Sequence, residues 1–178
     1  GGAMTLLSTE TASSSATITF DSNIDSTYKE YIFKFIDVHP ATDQVDLQVN
    51  FRDGSTAYDA TKTTTNSQAY HSEDGSGSGL AYDTGRDLAQ STAVLNIARM
   101  IGNGNDESGC GTLHLYDPSN TTFVKHFILD TQCYNEGDYS VRRLIAGYCN
   151  TTSAIDGVQF SFSSGNIDAG TFKLYGVS

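Results

Sequence analysis

At 178 residues the chain has room for one domain with a full hydrophobic core, and its ten Lys+Arg against twenty-one Asp+Glu give a formal charge of −11. That balance excludes a binder of phosphate backbones, which needs clustered basic residues, so nucleic acid is not an expected partner. No apolar run approaches the ~20 residues of a membrane helix, so membrane insertion is not expected either. Cys110, Cys133 and Cys149 have no metal spacing and leave one thiol over under any disulfide scheme; they read as reduced. Residues 1–4 (GGAM) read as a tag remnant, which leaves one domain over residues 5–178.

Leu6-Leu7 opens apolar, and Ala16, Ile18 and Phe20 then alternate with Ser15, Thr17 and Thr19, which predicts a strand with one wet face. Residues 21–27 make a turn. Residues 28–39 are the strongest apolar run, with Tyr31, Phe33 and Phe35 on one face and Ile32, Ile36 and Val38 on the other. Apolar character on both faces predicts a central strand covered on each side, ended by Pro40. Val45, Leu47, Val49 and Phe51 alternate cleanly with Gln44, Asp46, Gln48 and Asn50.

From Arg52 to Ser91 the character changes to almost wholly polar. Residues 61–70 are expected to be a strand facing water, and residues 73–79 (EDGSGSG) a flexible tip. So long a polar excursion within one domain is usually functional or mobile. Residues 86–101 fit two templates: Val94, Ile97, Ala98 and Ile101 match a helical face, and Leu95, Ile97 and Ile101 one side of a strand. Residues 102–111 are a loop, and residues 112–116 a strand stopped by Asp117-Pro118. In residues 122–133 Phe123, Phe127 and Leu129 oppose Val124, His126 and Ile128. Residues 134–139 turn the chain and 141–149 lead it back.

At the C-terminal end Val158, Phe160 and Phe162 oppose Gln159, Ser161 and Ser163, while Phe172 and Leu174 oppose Lys173 and Tyr175. With the turn residues between them, these runs predict a β-hairpin, or two neighbouring strands, closing a sheet. The sum is eight to ten strands and no long helix: an all-β, antiparallel β-sandwich, of which the jelly roll is a common form. Its expected core includes Phe33, Phe35, Val45, Leu47, Val49, Phe160, Phe162, Phe172 and Leu174.

Residues 160–176 (FSFSSGNIDAGTFKLYG), with 31–40 (YIFKFIDVHP), 112–125 (TLHLYDPSNTTFVK) and 147–155 (GYCNTTSAI), are similar to segments of virion proteins of tailed bacteriophages, notably tail-fibre, receptor-binding and decoration proteins of aquatic phages. The resemblance implies a jelly-roll-like sandwich, a strand for residues 86–101, and a place in the virion. It implies a structural protein, non-enzymatic and without cofactor, that acts by assembly and host-surface attachment. Its partners would be other virion proteins and copies of itself, most commonly as a trimer. It transfers no catalytic residue.

The side chains leave two other functions open: recognition of a glycan receptor, and hydrolysis of a surface polysaccharide by a carboxylate pair. Tyr58, Tyr70 and Tyr82 lie along the polar excursion where no core claims them. A ring with a hydroxyl tip suits sugar or protein surfaces, so these three are the candidate binding residues, with host glycan the candidate ligand. Asn103, Asn105, Asp106 and Glu107 gather hard oxygen donors in one Gly-rich loop, the candidate calcium site. Asp21, Asn23 and Asp25 imitate the start of an EF-hand, but Ser26 and Ile32 stand where its Gly and Glu belong. His71 near Glu73 and Asp74 could make an acid–base pair, with solvated charge as the plainer reading.

Overall fold

In the computed structural model, which describes residues 2–178, the alternating runs become strands and none of the described residues is helical. The strands are β1 (Met4–Ser15), β2 (Ile18–Phe20), β3 (Glu30–Pro40), β4 (Val45–Arg52), β5 (Lys62–Ser72), β6 (Ser78–Tyr82), β7 (Leu95–Ile101), β8 (Gly109–Tyr116), β9 (Lys125–Asn135), β10 (Tyr139–Cys149), β11 (Gly157–Phe162) and β12 (Ile167–Val177). Their pairings are antiparallel and form two sheets, one of eight strands in the order β1-β12-β3-β8-β9-β10-β5-β6 and one of four in the order β2-β11-β4-β7. This is the expected β-sandwich. The narrower jelly roll, eight strands in two Greek keys, does not follow from an order with a β8-β9-β10 meander inside the larger sheet.

Strands alternate sides, so each contributes one row to the space between the sheets. All nine core residues expected from the alternation are buried there. Phenylalanine rings meet across the gap, with centroids 5.6 Å apart for Phe35–Phe160 and 5.2 Å for Phe160–Phe172.

Three expectations need correction. β11 and β12 are neither a hairpin nor sheet neighbours: β11 joins the smaller sheet and β12 lies between β1 and β3 in the larger. Their apolar rows match because they face each other across the core, an arrangement that alternation alone cannot tell from pairing. In β3 the register breaks between Phe35 and Val38, where Asp37 takes φ +53°. This bulge returns Val38 to the core face with Tyr31, Phe33 and Phe35, while Ile36 on the outer face is 42% exposed. β3 is thus interior to the sheet but only partly covered on its second face.

The third correction concerns residues 52–91. They face outward only in part. β5 pairs with β10 along its whole length, and Lys62, Thr64, Asn66 and Ser72 point inward and are buried. β7 also resolves the ambiguity of residues 86–101: it is a strand whose pairing with β4 shifts register twice, so the adjacent Ile97 and Ala98 are both buried. Those shifts let one strand imitate a helical pattern.

Candidate functional site

Eight strands cannot all be covered by four. β7 forms one edge of the smaller sheet and lies against β9 and β10, so the inner face of β5 and β6 projects beyond it. The connection between β6 and β7 runs along the free edge of β5 and turns over part of this inner face, where Asn66 Nδ2 donates to the Arg86 carbonyl (3.3 Å). Asp83 and Thr64 donate backbone N–H groups to Asn66 and Leu88, and Lys62 and Ser91 exchange backbone hydrogen bonds.

Beneath that cover the sheet buries charge. Arg143 donates to Asn66 (2.8 Å), Gln68 (2.9 Å) and the Asp83 carboxylate (2.8 Å). Burial works to raise the Asp83 carboxyl, but the Arg143 hydrogen bond and charge, with Arg86, hold it below the usual range. Further along the same face Cys149 stands between Lys125 of β9 and Lys62 of β5. Lys62 Nζ donates to Asn50 Oδ1 (2.6 Å) and the Ala60 carbonyl (2.8 Å), and Lys125 Nζ to the carbonyls of Phe123 and Thr151 (2.9 Å each). Burial lowers the Lys62 ammonium to about 8 and pushes the Cys149 thiol up to about 12. These lysines anchor loops.

At the other end of the overhang the cover stops and a pocket of about 260 Å³ opens, lined by Gln68, Tyr70, Arg99, Asn135, Tyr139 and Val141. Register builds it: Val141 pairs with Tyr70 and with Cys133, Tyr139 with Asn135, and Arg143 with Gln68. Arg99 arrives from β7, the edge of the opposite sheet. The Tyr70 and Tyr139 rings meet edge to face, 6.0 Å between centroids. Tyr70 lies over Gly79, where a Cβ would stand 2.8 Å from its hydroxyl. The supposedly flexible tip thus seats the pocket's tyrosine. Its own turn is closed by hydrogen bonds between Ser72 and Gly77 and by Asp74 on the Ser76 N–H.

The three candidate tyrosines are not brought together. Tyr70 is in the pocket. Tyr82 pairs with Ser67 on the outer face of the sheet, half exposed, its hydroxyl donating to Asp87 (2.6 Å). Tyr58 lies against the Arg52 guanidinium at 5.7 Å, its hydroxyl buried without a partner. Of the calcium candidates, Asn105, Asp106 and Glu107 line one surface cavity with Asp37 and His39, and Asn103 is not part of that lining. Asn103, Asn105 and Asp106 are exposed, and the Glu107 carboxylate accepts the Gly104 N–H of its own loop. Among the described residues no group of three or more His, Cys, Asp or Glu could hold a metal. His71 bonds the Ser72 carbonyl (2.8 Å). The sequence reading missed Arg99 and Tyr139; the visible signal was a lone arginine within the apolar run of β7.

A second surface lies on the outer face of the larger sheet. Ile36, Ile128, Leu144 and Phe123 are exposed there, Phe123 to 68%. A groove of about 460 Å³ runs between Tyr116, His126, Ile128 and Tyr148. The Gly147 backbone lines it, and a Cβ there would point to the opposite, inner face and meet the buried Phe127 ring at 2.8 Å.

No family model matches the chain, and no curated protein does. Among solved structures, a marine PL-14 alginate lyase from Aplysia kurodai aligns over 86% of this chain and 72% of that one, at 10% identity and a TM-score of 0.24. The structure of infectious bursal disease virus Gt strain aligns over 96% of this chain and 40% of that one, at 9% identity and a TM-score of 0.19. Likenesses this distant bear on neither fold nor function.

Proposed function

We propose that this chain is a non-enzymatic virion structural domain of the tailed-phage kind its sequence resembles, which attaches to host-surface glycan through the Tyr70–Tyr139 pocket. The observation that carries this reading is the pocket itself: two aromatic walls with amides and an arginine between them. A sugar ring offers apolar C–H faces to such walls and hydroxyls to such polar groups. The lining itself contains no carboxylate and no histidine, and the carboxylates of Glu73, Asp74 and Asp138 belong to the adjoining cavity that shares Tyr139. Glycoside hydrolysis calls for a carboxylate pair at the bound sugar, so the lining counts against hydrolysis. Assembly with copies of itself, as a trimer, would use the exposed apolar groups on the outer face of the larger sheet rather than β3 alone.

Binding of the full chain to an array of host-surface glycans tests the attachment role. The wild type is expected to bind and Tyr139→Ala to lose binding while keeping its melting temperature within a few degrees. Release of shorter saccharides from any of those glycans would replace the binding reading with an enzymatic one. Light scattering at micromolar concentration is expected to give three times the chain mass; a strictly monomeric mass removes the assembly claim.

A further inference from the structure

We infer that the pocket recognises the carboxylate of an acidic sugar, a uronic acid residue, with Arg99 as the group that reads it. This rests on the glycan reading above and adds the ligand's chemical class. The first support comes from the arginines. Arg52, Arg86, Arg142 and Arg143 each form a salt bridge to an aspartate. Arg99 forms none among the described residues; its Nε, like that of Arg143, is buried with no hydrogen-bond partner, but Arg143 has Asp83 and Arg99 has no carboxylate. In a chain of net charge −11, an arginine that meets no carboxylate is the exception.

The second support is the polarity of the amides beside it. Gln68 Oε1 accepts from Arg143, and because a guanidinium only donates, that contact fixes which way the amide faces. Asn135 Oδ1 accepts the backbone N–H groups of Gly137 and Tyr139. Both oxygens are therefore engaged inside the protein, and both NH₂ groups remain to donate. A pocket whose free polar groups are a guanidinium, two amide NH₂ groups and two phenols calls for an acceptor-rich ligand. A carboxylate supplies acceptors only, in the planar fork that matches guanidinium. The adjoining cavity, lined in part by Glu73, Asp74 and Asp138, repels anionic groups, so a ligand carboxylate is accommodated beside Arg99 and not there.

The test is calorimetric titration of the full chain with tetrasaccharides of galacturonate, glucuronate and mannuronate, each beside its methyl ester, and with a sulfated galactose tetrasaccharide. At least one free acid is expected to bind at least tenfold more tightly than its ester. Arg99→Gln should abolish that preference by lowering the affinity for the acid further than the affinity for the ester, and Arg99→Lys should keep part of it. Equal affinity for acid and ester, or a preference unchanged in Arg99→Gln, overturns the carboxylate assignment and leaves glycan binding standing. Tighter binding of the sulfated sugar through Arg99 overturns it in favour of sulfate. Binding of none of these, with the neutral host glycans also silent, removes the glycan reading and this one together.

Discussion

The larger sheet is two materials in one. Where the smaller sheet covers it, the inner face is built of rings and branched aliphatics: Phe33, Phe35, Leu113, Leu129 and Phe172 are all buried. Towards and along the overhang, the same face carries Lys62, Asn66, Arg143 and Lys125, buried as fully but hydrogen-bonded to loops and neighbouring strands, with Arg143 Nε left without a partner. The first half gains stability from burial of apolar area, which is undirected and tolerant of small shifts. The second depends on particular donors meeting particular acceptors, because a buried charge left alone is costly. That difference explains why the pocket sits where it does. A hydrogen-bonded polar layer can end in an open polar site without exposing core, and a layer of phenylalanines cannot.

The largest effect should come from the covered half. Phe160→Ala, removing a ring that meets Phe33, Phe35 and Phe172, should cost ~3–5 kcal/mol in urea unfolding. A loss below 1 kcal/mol would mean the two sheets do not close on that ring. On the overhang, Arg143→Leu strands Asp83 and Asn66 and should cost about 3 kcal/mol. Adding Asp83→Leu should recover much of that, because the pair is removed whole. Additive losses would mean the two side chains act independently, and the contrast between the halves would fail.

A smaller effect follows from Lys62. Its folded ammonium, lowered to about 8 against an ordinary value of 10.5, binds its proton less well than in the unfolded chain. Its contribution to stability is therefore unfavourable below pH 8 and is relieved as pH rises from about 8 towards 10.5. The buried Cys133 and Cys149 thiols, pushed up to about 11 and about 12, work oppositely above pH 9, since the unfolded thiols ionise first. The difference between wild type and Lys62→Met isolates the lysine: the wild type should gain relative to the variant between pH 8 and 10. A parallel pH dependence would place the ammonium in a solvated site. The smallest effect expected is none at all. Cys110, Cys133 and Cys149 are free, so reductant should leave the melting temperature unchanged; a large fall would reveal a disulfide.

The covered half was legible in the sequence and the overhang was not. Val45-x-Leu47-x-Val49 shows its buried side because hydrophobicity and period agree. Lys62, Thr64, Asn66, Gln68 and Tyr70 keep the same period, but their polarity reads as water contact. Their partners lie far away in sequence: Asn50, the residue 83–91 connection and Arg143. Burial of a polar row is decided by such distant partners, which no local window contains. The same reason hid the pocket, whose residues come from β5, β7, β9 and β10. Tyr70 could be singled out as an aromatic without a core, but Tyr58 and Tyr82 had the same appearance and went elsewhere.

The overhang's role is tested most directly by amide chemical-shift mapping on the ¹⁵N-labelled chain during titration with the tightest-binding uronate tetrasaccharide. The perturbed resonances are expected to cluster at residues 68–70, at Arg99 and at residues 135–141. Perturbations centred instead on Tyr116, His126 and Tyr148, or scattered without a centre, would contradict the assignment of binding to the overhang.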